Sequence, residues 1–560
     1  MPAEEMGSGN KTARPGAPPL LKSYRWPWYE LLLYGSVIAA AFPYVCWIGY
    51  SYSNKLELWQ LDDLGILPGW IGQRHIDMYD FQWEGIRNAL PILTLGAMAH
   101  VGGSRLLRVY LASTREEGGD DGGAERDAPL LAYHLLFGMV YVCYLHGCGT
   151  FWLLSLVLVN FCISRLCAAG HSLGPALTWL FNVTILLTND YFAGYRFEWI
   201  HPRLGALDQE PFIGVSRWHV HFPMVTLKLI SFNMDLYWAV TRRKSPLHGR
   251  DEFLSYRYRQ ETHQPMAAYS TLAYLSYVLY PPLYLAGPTA SFNAWRSHMH
   301  VNTPQVAYSP MQIGLYGLRW LGNLLCFEVF LHFNYANAIA SSVYDWFWRR
   351  LSVAELGLCA FWTLFFIWMK FLLIWRYFLL WALCDGVECP ENMNRCVYNN
   401  YSTEQFWRSW HRAFNQWLLR YIYFPLGGSA YKLVNVWVVF LYVAVWHDVR
   451  WRLLSWAALV CVIIAPEILV RMLAATKPIA PMQTNNWFRY VIAVGGSFNV
   501  FLLIAANLVG FSFGLEGLKL FISRLFGSRE GVWFMWGSFV TVFSGVNLQL
   551  WIRSRQHTNY

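Results

Sequence analysis

Long apolar runs dominate the pattern of hydrophobic and polar positions along this chain. A transmembrane helix needs roughly 20 predominantly apolar residues. We predict spans near 29–50, 89–112, 130–148, 150–169, 172–189, 222–240, 267–287, 311–340, 353–382, 433–447, 452–475, 488–513 and 531–552. No heptads, internal repeat or two-half symmetry accompany them. The pattern predicts an all-α integral membrane protein with one membrane domain over 29–552, an N-terminal tail over 1–28 and a C-terminal tail over 553–560.

The composition agrees with a protein that lies mostly in a bilayer. Hydrophobic residues make up 56% of the chain and charged residues 14%, compared with about 25% charged residues in a typical soluble domain. The 30 Trp and 34 Tyr suit membrane interfaces and lipid-lined cavities. The net charge of +9 does not indicate nucleic-acid binding, because the basic residues flank apolar runs and form no stripe with exposed aromatic residues.

The basic residues also predict a topology. The loop from Arg242 to Arg259 follows the sixth predicted span, and the positive-inside rule places it in the cytosol. Counting back along the spans puts the N-terminal Lys11 and Arg14 on the same side and the acidic segment from Asp62 to Glu84 on the other. The first apolar run lacks a persuasive cleavage site and is interpreted as a signal anchor.

Two segments depart from the simple pattern. The run at 353–382 is long and contains Lys370 and Arg376, so it is predicted to tilt, break or follow the interface, with these cations reaching toward the surface. The stretch from Gln405 to Leu426 is too polar for lipid and too aromatic for water. It is predicted to be buried among other helices or to dip part way into the membrane.

Two histidines stand in unusual surroundings. Residues 406–417 are predicted to form one helix with an aromatic side made by Trp407, Trp410, Phe414 and Trp417, and with His411 one turn from Trp407 and Asn415. A long apolar run ends at Trp446-His447-Asp448. Histidine suits proton transfer near neutral pH, although a hydrogen-bonded packing role is equally open from these segments alone. No HxxxH or HExxH pattern surrounds either histidine, so no metal site is predicted.

Several ordered motifs resemble the membrane-bound O-acyltransferase family, and within it the branch named for glycerol uptake proteins. They are Leu279–Pro288, Trp381–Val397, Asn399–Ser402, Trp407–Trp417, Arg420–Gly428 and Trp446-His447-Asp448. The resemblance covers about residues 230–514. It implies a polytopic bundle of about 10 to 12 transmembrane helices, with re-entrant segments around a central tunnel.

The resemblance also implies a set of site residues. His447 corresponds to the histidine most often called catalytic in the family. The position of His411 holds His, Asn or Asp in different branches, which favours a role in positioning the acceptor or completing a hydrogen-bond network. His447 would accept the proton of an acceptor hydroxyl that attacks an acyl-coenzyme A (acyl-CoA) thioester. The expected substrate-binding residues are Asn415, Trp407, Trp410, Trp446, Asp448 and Arg408.

The glycerol uptake branch further implies a substrate and a location. The expected acceptor is the sn-2 hydroxyl of a lyso-glycosylphosphatidylinositol (lyso-GPI) anchor in the endoplasmic reticulum membrane, with acyl-CoA as co-substrate and no required cofactor. A related branch carries haem on a cysteine in the loop before the conserved helix, and Cys396 occupies a comparable place. Its alternative interpretation is an ordinary buried or interfacial thiol, because no second axial ligand is evident.

Other function classes remain as alternatives. The branch that acylates secreted proteins would make this chain a protein acyltransferase of the Hedgehog-acyltransferase type. A glycerol transporter would be expected to show repeat symmetry, and neutral glycerol needs no buried histidines. A non-catalytic regulator that keeps the fold is the third alternative.

Overall fold

The computed structural model describes residues 24–55, 65–114, 126–241, 255–300, 307–341 and 345–555. About 78% of the structure is helical, which confirms the all-α prediction. The helices are α1 (Trp28–Ser53), α2 (Phe81–Ser113), α3 (Ala128–His146), α4 (Thr150–Ala168), α5 (Leu173–Phe192), α6 (Trp218–Thr241), α7 (Tyr256–Glu261), α8 (Thr271–Val278), α9 (Phe292–Ser297), α10 (Pro310–Phe333), α11 (Ala336–Ser341), α12 (Asp345–Arg350), α13 (Val353–Asp385), α14 (Thr403–Ser409), α15 (Arg412–Leu418), α16 (Lys432–His447), α17 (Trp451–Ala474), α18 (Phe488–Phe511), α19 (Gly514–Gly527) and α20 (Arg529–Arg555).

A short hairpin joins α1 to α2. Strands β1 (Ile66–Pro68) and β2 (His75–Asp77) pair antiparallel, with Leu67 opposite Ile76. Helix α2 begins at Phe81, earlier than predicted, because the Asp80 carboxylate accepts a hydrogen bond from Trp83 N–H at 2.7 Å and caps the helix. Most of the predicted N-terminal tail and of the basic loop after α6 lies outside the described residues, as do Asp62 and Asp63.

Seven helical segments among the described residues are long and apolar enough to cross a membrane. They are Trp28–Ser53, Ala128–Ala168, Val353–Asp385, Gly428–His447, Trp451–Ala474, Phe488–Phe511 and Arg529–Arg555. Helices α2, α5, α6 and α10 are of similar length and less apolar. The arrangement confirms a multi-pass membrane protein. Helix α20 continues to Arg555, past the predicted start of the C-terminal tail.

Two of the predicted spans are wrong as continuous helices. The span predicted at 267–287 contains only α8, which ends at Val278 shortly before Pro281 and Pro282. Proline lacks a backbone N–H and restricts the residue before it. The carbonyls freed near this end accept hydrogen bonds from Lys228, whose Nζ lies 3.2 Å from the Tyr277 oxygen and 3.0 Å from the Val278 oxygen. This lysine is buried and caps a helix end.

The span predicted at 311–340 is interrupted at Asn334. Helix α10 ends there, and α11 begins two residues later. The Asn334 side-chain oxygen accepts hydrogen bonds from the Tyr52 hydroxyl at 2.9 Å and from Ala336 N–H at 3.1 Å. The Asn334 side chain therefore accepts one hydrogen bond from the neighbouring helix α1 and one from the first residue of α11, which stabilises the break.

Helix α13 is one continuous and largely buried helix of 33 residues, so of the predicted alternatives the break does not occur. It starts with a capping box made by Ser352 and Glu355 and ends at Gly386 in the left-handed region. Lys370 does not reach the surface, since it is buried and pairs with Asp80 at 2.7 Å. The cost of placing this cation inside the bundle is offset by a carboxylate from the start of α2.

Contacts between the ends of helices define the two faces of the bundle. At the face where α1 begins, called the N-terminal face here, Glu30 accepts a hydrogen bond from Arg489 in the first turn of α18 at 2.6 Å. Helix α1 ends at the opposite face. Helix α6 packs against α4 and α5, α17 packs against α16 and α18, and α1 packs against α20. Helices from both halves of the chain thus surround one central space.

Candidate active site

A cavity of 2240 Å³ lies at the centre of the bundle. Its walls are mainly aromatic and aliphatic side chains. One end carries Arg408, Lys432 and Glu404. This is the N-terminal face, because Glu404 pairs at 3.1 Å with Arg471 at the end of α17, next to the start of α18. His447, at the end of α16 opposite to Lys432, also lines the cavity, and Ser216, just before α6, lies on the side of this helix end. The cavity therefore extends between the two faces.

His411 lies at a break between two short helices, which contradicts the predicted single helix over 406–417. Helix α14 ends at Ser409, and α15 starts at Arg412. His411 has φ 47° and ψ 49°, the left-handed conformation, which costs a non-glycine residue on the order of 1 kcal/mol or more. Asn392 stabilises the break, since its carbonyl accepts from Arg412 N–H at 2.9 Å and its side chain accepts from Ala413 N–H at 3.1 Å.

The break divides the predicted aromatic side into separate contacts. Trp407 packs edge-on against Phe440 and Trp456. Trp410 instead contacts Phe371 and Trp375 of α13. A continuous helix would have kept these tryptophans on one stripe. The observed arrangement places aromatic walls on different sides of the cavity.

The imidazole of His411 is held flat against α13. It stacks on the Trp375 ring at 4.4 Å with an interplanar angle of 15°. The residue is 8% exposed and lines the cavity. Its Nε2 atom is buried and has no hydrogen-bond partner in the described part of the chain, which marks it as a candidate polar group of the site.

His447 is the last residue of α16 and is exposed to the same cavity. Its position is fixed by its neighbour Trp446, whose Nε1–H donates to the Pro223 carbonyl at 2.8 Å. The Trp446 ring also packs on Phe414 at 4.5 Å. This indole anchors the end of α16 between α6 and α15.

The structure brings the two histidines together. The Trp446 ring centroid lies 6.2 Å from that of His411 and 4.8 Å from that of His447. Because both distances are measured to one ring, the imidazoles are at most the sum of the two, about 11 Å, apart. That spacing leaves room for a reacting group that reaches a hydrogen bond at each end.

The other predicted substrate-binding residues fall into two groups. Trp407, Trp410, Asn415, Trp446 and Arg408 line the cavity. Asp448 is not among the lining residues and pairs with Arg450 at 2.6 Å. Burial, together with the neighbouring Asp190 carboxyl, raises the pKa of Asp448 to about 6. Its prediction as a substrate-binding residue is not supported by this placement.

Cys396 lies in the loop between α13 and α14. The residue is exposed and is not among those that line the cavity, although the next two residues are. Protein sites for large cofactors are concave and mostly apolar, and the exposed position of this thiol does not fit that requirement. The position of Cys396 therefore does not favour a role as a haem ligand.

Some residues of the site could not be recognised as such from sequence. Trp375 lies in a long apolar run that carries no signal for a stacking partner. Gln416 lines the cavity with a buried side-chain oxygen that lacks a partner in the described structure. Asn392 stands within the Trp381–Val397 motif, which pointed to a functional segment but not to its capping role.

A second histidine cluster lies outside the cavity. Ligand atoms of His100, His134 and Asp385 lie within 4.8 Å of one another, close enough to share a metal ion. However, Trp381 Nε1–H donates to His100 Nδ1 at 3.2 Å, which places the proton of a neutral His100 on Nε2. That atom lies 3.1 Å from His134 Nδ1 and donates to it. Metal-bound histidines normally donate from their second nitrogen, so the geometry favours a hydrogen-bond chain.

Comparison with known proteins identifies the family of this chain. Residues 140–514 match the model of MBOAT, the membrane-bound O-acyltransferase family. The match covers more than half of the 560 residues and includes His411 and His447. The chain belongs to this family. The match begins at residue 140, well before residue 230, where the predicted resemblance begins. Both ranges end at residue 514.

Relatives confirm the glycerol uptake branch. Membrane-bound O-acyltransferase gup1 of Schizosaccharomyces pombe is 34% identical over 533 residues, which cover 94% of this chain and 88% of the relative. GUP1 of Saccharomyces cerevisiae is 32% identical over 496 residues, 87% of this chain and 84% of the relative. The mouse protein-cysteine N-palmitoyltransferase HHAT is 29% identical over 271 residues, 45% of this chain and 52% of the relative. The protein is an acyltransferase.

Proposed function

We propose that this enzyme transfers a long-chain fatty acyl group from acyl-CoA to the sn-2 hydroxyl of a lyso-GPI anchor. The observation that carries the proposal is the placement of His411 and His447 on one cavity that extends between the two faces of the bundle. A donor that enters from one face and an acceptor that enters from the other can then meet between two imidazoles.

The N-terminal-face end of the cavity suits the phosphates of coenzyme A. The Glu404 carboxylate there lies 2.6 Å from Arg408, 3.4 Å from Lys432 and 3.1 Å from Arg471. Arg471 also pairs with Glu467 at 2.6 Å, so three cations and two carboxylates leave this cluster with a net charge of +1. Arginine and lysine side chains are the usual phosphate ligands of proteins, so the donor is assigned to this end.

In the proposed reaction the acyl group moves directly, with no acyl-enzyme. His447 accepts the proton of the acceptor hydroxyl while its oxygen attacks the thioester carbonyl. The tetrahedral intermediate then expels the coenzyme A sulfur, which takes the proton from His447. The new ester and free coenzyme A are the products, and the imidazole returns to its neutral form. Acyl-CoA is the co-substrate, and no cofactor is required.

The oxyanion of the tetrahedral intermediate needs hydrogen-bond donors. Trp407 and His411 line the cavity. The Nε1 atom of Trp407 and the Nε2 atom of His411 are buried and have no partner among the described residues. Preorganised donors of this kind stabilise developing negative charge strongly in a site without water. The proposal therefore assigns oxyanion stabilisation to these two atoms, with the Asn415 amide nearby. The aromatic walls exclude the water that would hydrolyse the thioester.

A lipid acceptor fits the apolar middle of the cavity. Burial of each methylene contributes about 0.8 kcal/mol, and a lyso-lipid keeps one acyl chain that can use it. Location in the endoplasmic reticulum with a cytosolic N-terminus belongs to the same proposal. It places the cationic end of the cavity on the side where acyl-CoA is present, in agreement with the basic loop after α6.

The similarity to HHAT supports a second candidate, transfer to an N-terminal amine of a secreted protein. The test uses purified enzyme in lipid nanodiscs with labelled acyl-CoA, offered either a 1-acyl-2-lysophosphatidylinositol or a peptide with a free N-terminus. Transfer to the lyso-lipid, together with accumulation of lyso-GPI in cells that lack the protein, is expected. Unchanged anchors alongside a peptide that becomes acylated would establish the second candidate instead.

A further inference from the structure

A serine and a histidine form a pair at the end of the cavity opposite the cations. Ser216 Oγ and His221 Nε2 are 2.8 Å apart, and both residues line the cavity. Neither is fully buried, so their polar atoms can exchange partners with a molecule that enters from the opposite face.

The backbone around Ser216 is fixed by the end of α3. Ser216 N–H donates to the Leu145 carbonyl at 2.7 Å, and the Ser216 carbonyl accepts from His146 Nδ1 at 2.7 Å. His146 Nε2 is then an acceptor, and the Tyr284 hydroxyl donates to it at 2.8 Å. This series of hydrogen bonds defines the tautomer of His146 and holds Ser216 in place, although Ser216 lies in a connecting segment.

Two glycines allow this close approach. Gly147 has φ 52° and Gly214 has φ 69°, both in the left-handed region that favours glycine. A Cβ atom on Gly214 would lie 2.7 Å from the Leu145 carbonyl oxygen. A Cβ atom on Gly147 would overlap the Phe212 carbonyl. The segment before α6 can therefore lie directly on the end of α3, which positions Ser216 beside His221.

The pair is also near the proposed base. Pro223, two residues after His221, accepts the hydrogen bond from Trp446, the residue before His447. A substrate that touches His221 and Ser216 thus lies on the same side of the cavity as the end of α16.

The charges of the lining residues define what this end can bind. The carboxylates that line the described cavity are Asp80 and Glu404. Asp80 is paired with Lys370 at 2.7 Å, and Glu404 is surrounded by cations. An ammonium group would find no free carboxylate here. A hydroxyl group, in contrast, can both donate to and accept from a Ser–His pair.

We propose that Ser216 and His221 form the site that binds hydroxyl groups of the acceptor and selects an alcohol over an amine. The inference rests on the proposed function and specifies the acceptor. Both are positioning residues, since proton transfer in the reaction is assigned to His447.

The test uses the full chain in nanodiscs with labelled acyl-CoA and 1-acyl-2-lysophosphatidylinositol as the acceptor. Loss of one hydrogen bond changes affinity by about 3- to 10-fold. Ser216→Ala and His221→Gln should each raise the acceptor KM by about that factor and leave the KM for acyl-CoA unchanged. Gly214→Ala, which displaces Ser216 without removing a polar group, should do the same. His219→Gln is the matched control, because His219 lies on the same helix and does not line the cavity.

The outcomes separate the two proposals. Wild-type enzyme that acylates the lyso-lipid while Ser216→Ala and His221→Gln keep the wild-type acceptor KM would overturn this inference alone. A purely structural role would lower kcat and thermal stability without changing the acceptor KM, and would also overturn it. Wild-type enzyme that acylates the peptide amine and no lyso-lipid would overturn the proposed function together with this inference.

Discussion

Glu467 offers a sharp test of how the segment before His411 is held in place. Its carboxylate, on α17, accepts hydrogen bonds from the Ser402 hydroxyl and from Thr403 N–H at 2.8 Å, both at the start of α14. Arg471 also contributes at 2.6 Å. The Glu467 side chain is only 7% exposed. Glu467→Ala removes the acceptor for buried donors and should therefore loosen α14, which carries Trp407.

The expected magnitude follows from burial. Hydrogen bonds to a charged group contribute about 1.5–3 kcal/mol each, so loss of the two buried ones should cost about 3–5 kcal/mol. The control is Arg450→Ala. Arg450 pairs with Asp448 at the same 2.6 Å, but its side chain is 79% exposed, and exposed pairs contribute at most about 1 kcal/mol. The two pairs have the same distance, and their different burial predicts unequal effects on stability.

Thermal unfolding in detergent measures the difference. An unfolding entropy of about 2.1 cal/mol/K per residue over 560 residues gives a shift of about 1 °C for each kcal/mol. Glu467→Ala should lower Tm by about 3–5 °C and reduce kcat, and Arg450→Ala should change Tm by less than about 1 °C. Equal shifts in the two variants, or no shift in Glu467→Ala, would refute the argument that burial decides the contribution.

Three further predictions follow from the site and the hairpin. His447→Ala should lower acyl transfer by at least about 100-fold while the protein stays folded in the membrane, since a general base contributes 10²–10⁴-fold; near wild-type turnover with labelled acyl-CoA would contradict the role. His411→Asn should keep more activity than His447→Ala in the same assay, because Asn retains an N–H donor for the oxyanion; equal losses would assign His411 a proton-transfer role. Burial raises the pKa of Asp77 to about 7, so this group stabilises the folded protein most below about pH 4, its unfolded pKa. That contribution is lost as the pH rises to 7, and the difference in Tm between wild type and Asp77→Asn should follow this curve; a pH-independent difference would refute it.

The membrane architecture could be predicted because it depends on length and composition. Apolar runs of about 20 residues leave the backbone few alternatives to a helix in lipid, and most predicted spans are helices close to the predicted bounds. The errors occur where local chemistry outweighs hydropathy. Pro281 and Pro282 end a helix inside an apolar run, and the Asn334 side chain supports a break in another.

The site was only partly predictable for a related reason. The resemblance pointed to His411 and His447, and both line the cavity. The contacts that orient them are long-range, such as Trp375 on His411 and Pro223 on Trp446. No periodicity in the sequence encodes such pairs. Asp448 follows His447 directly in the sequence, and it does not line the cavity.

The left-handed backbone at His411 connects these observations. In a regular helix the backbone of His411 would form the usual helical hydrogen bonds, and its side chain would lie on the same face as Trp407. The break redirects the chain, so that the imidazole stacks on Trp375 and its Nε2 atom has no partner among the residues that the structure describes. Non-glycine residues stay in this conformation only where the surroundings determine it, and Asn392 supplies two hydrogen bonds for that purpose. Strain held by these contacts at one residue is therefore how an aromatic helical segment places the His411 imidazole in the wall of the cavity.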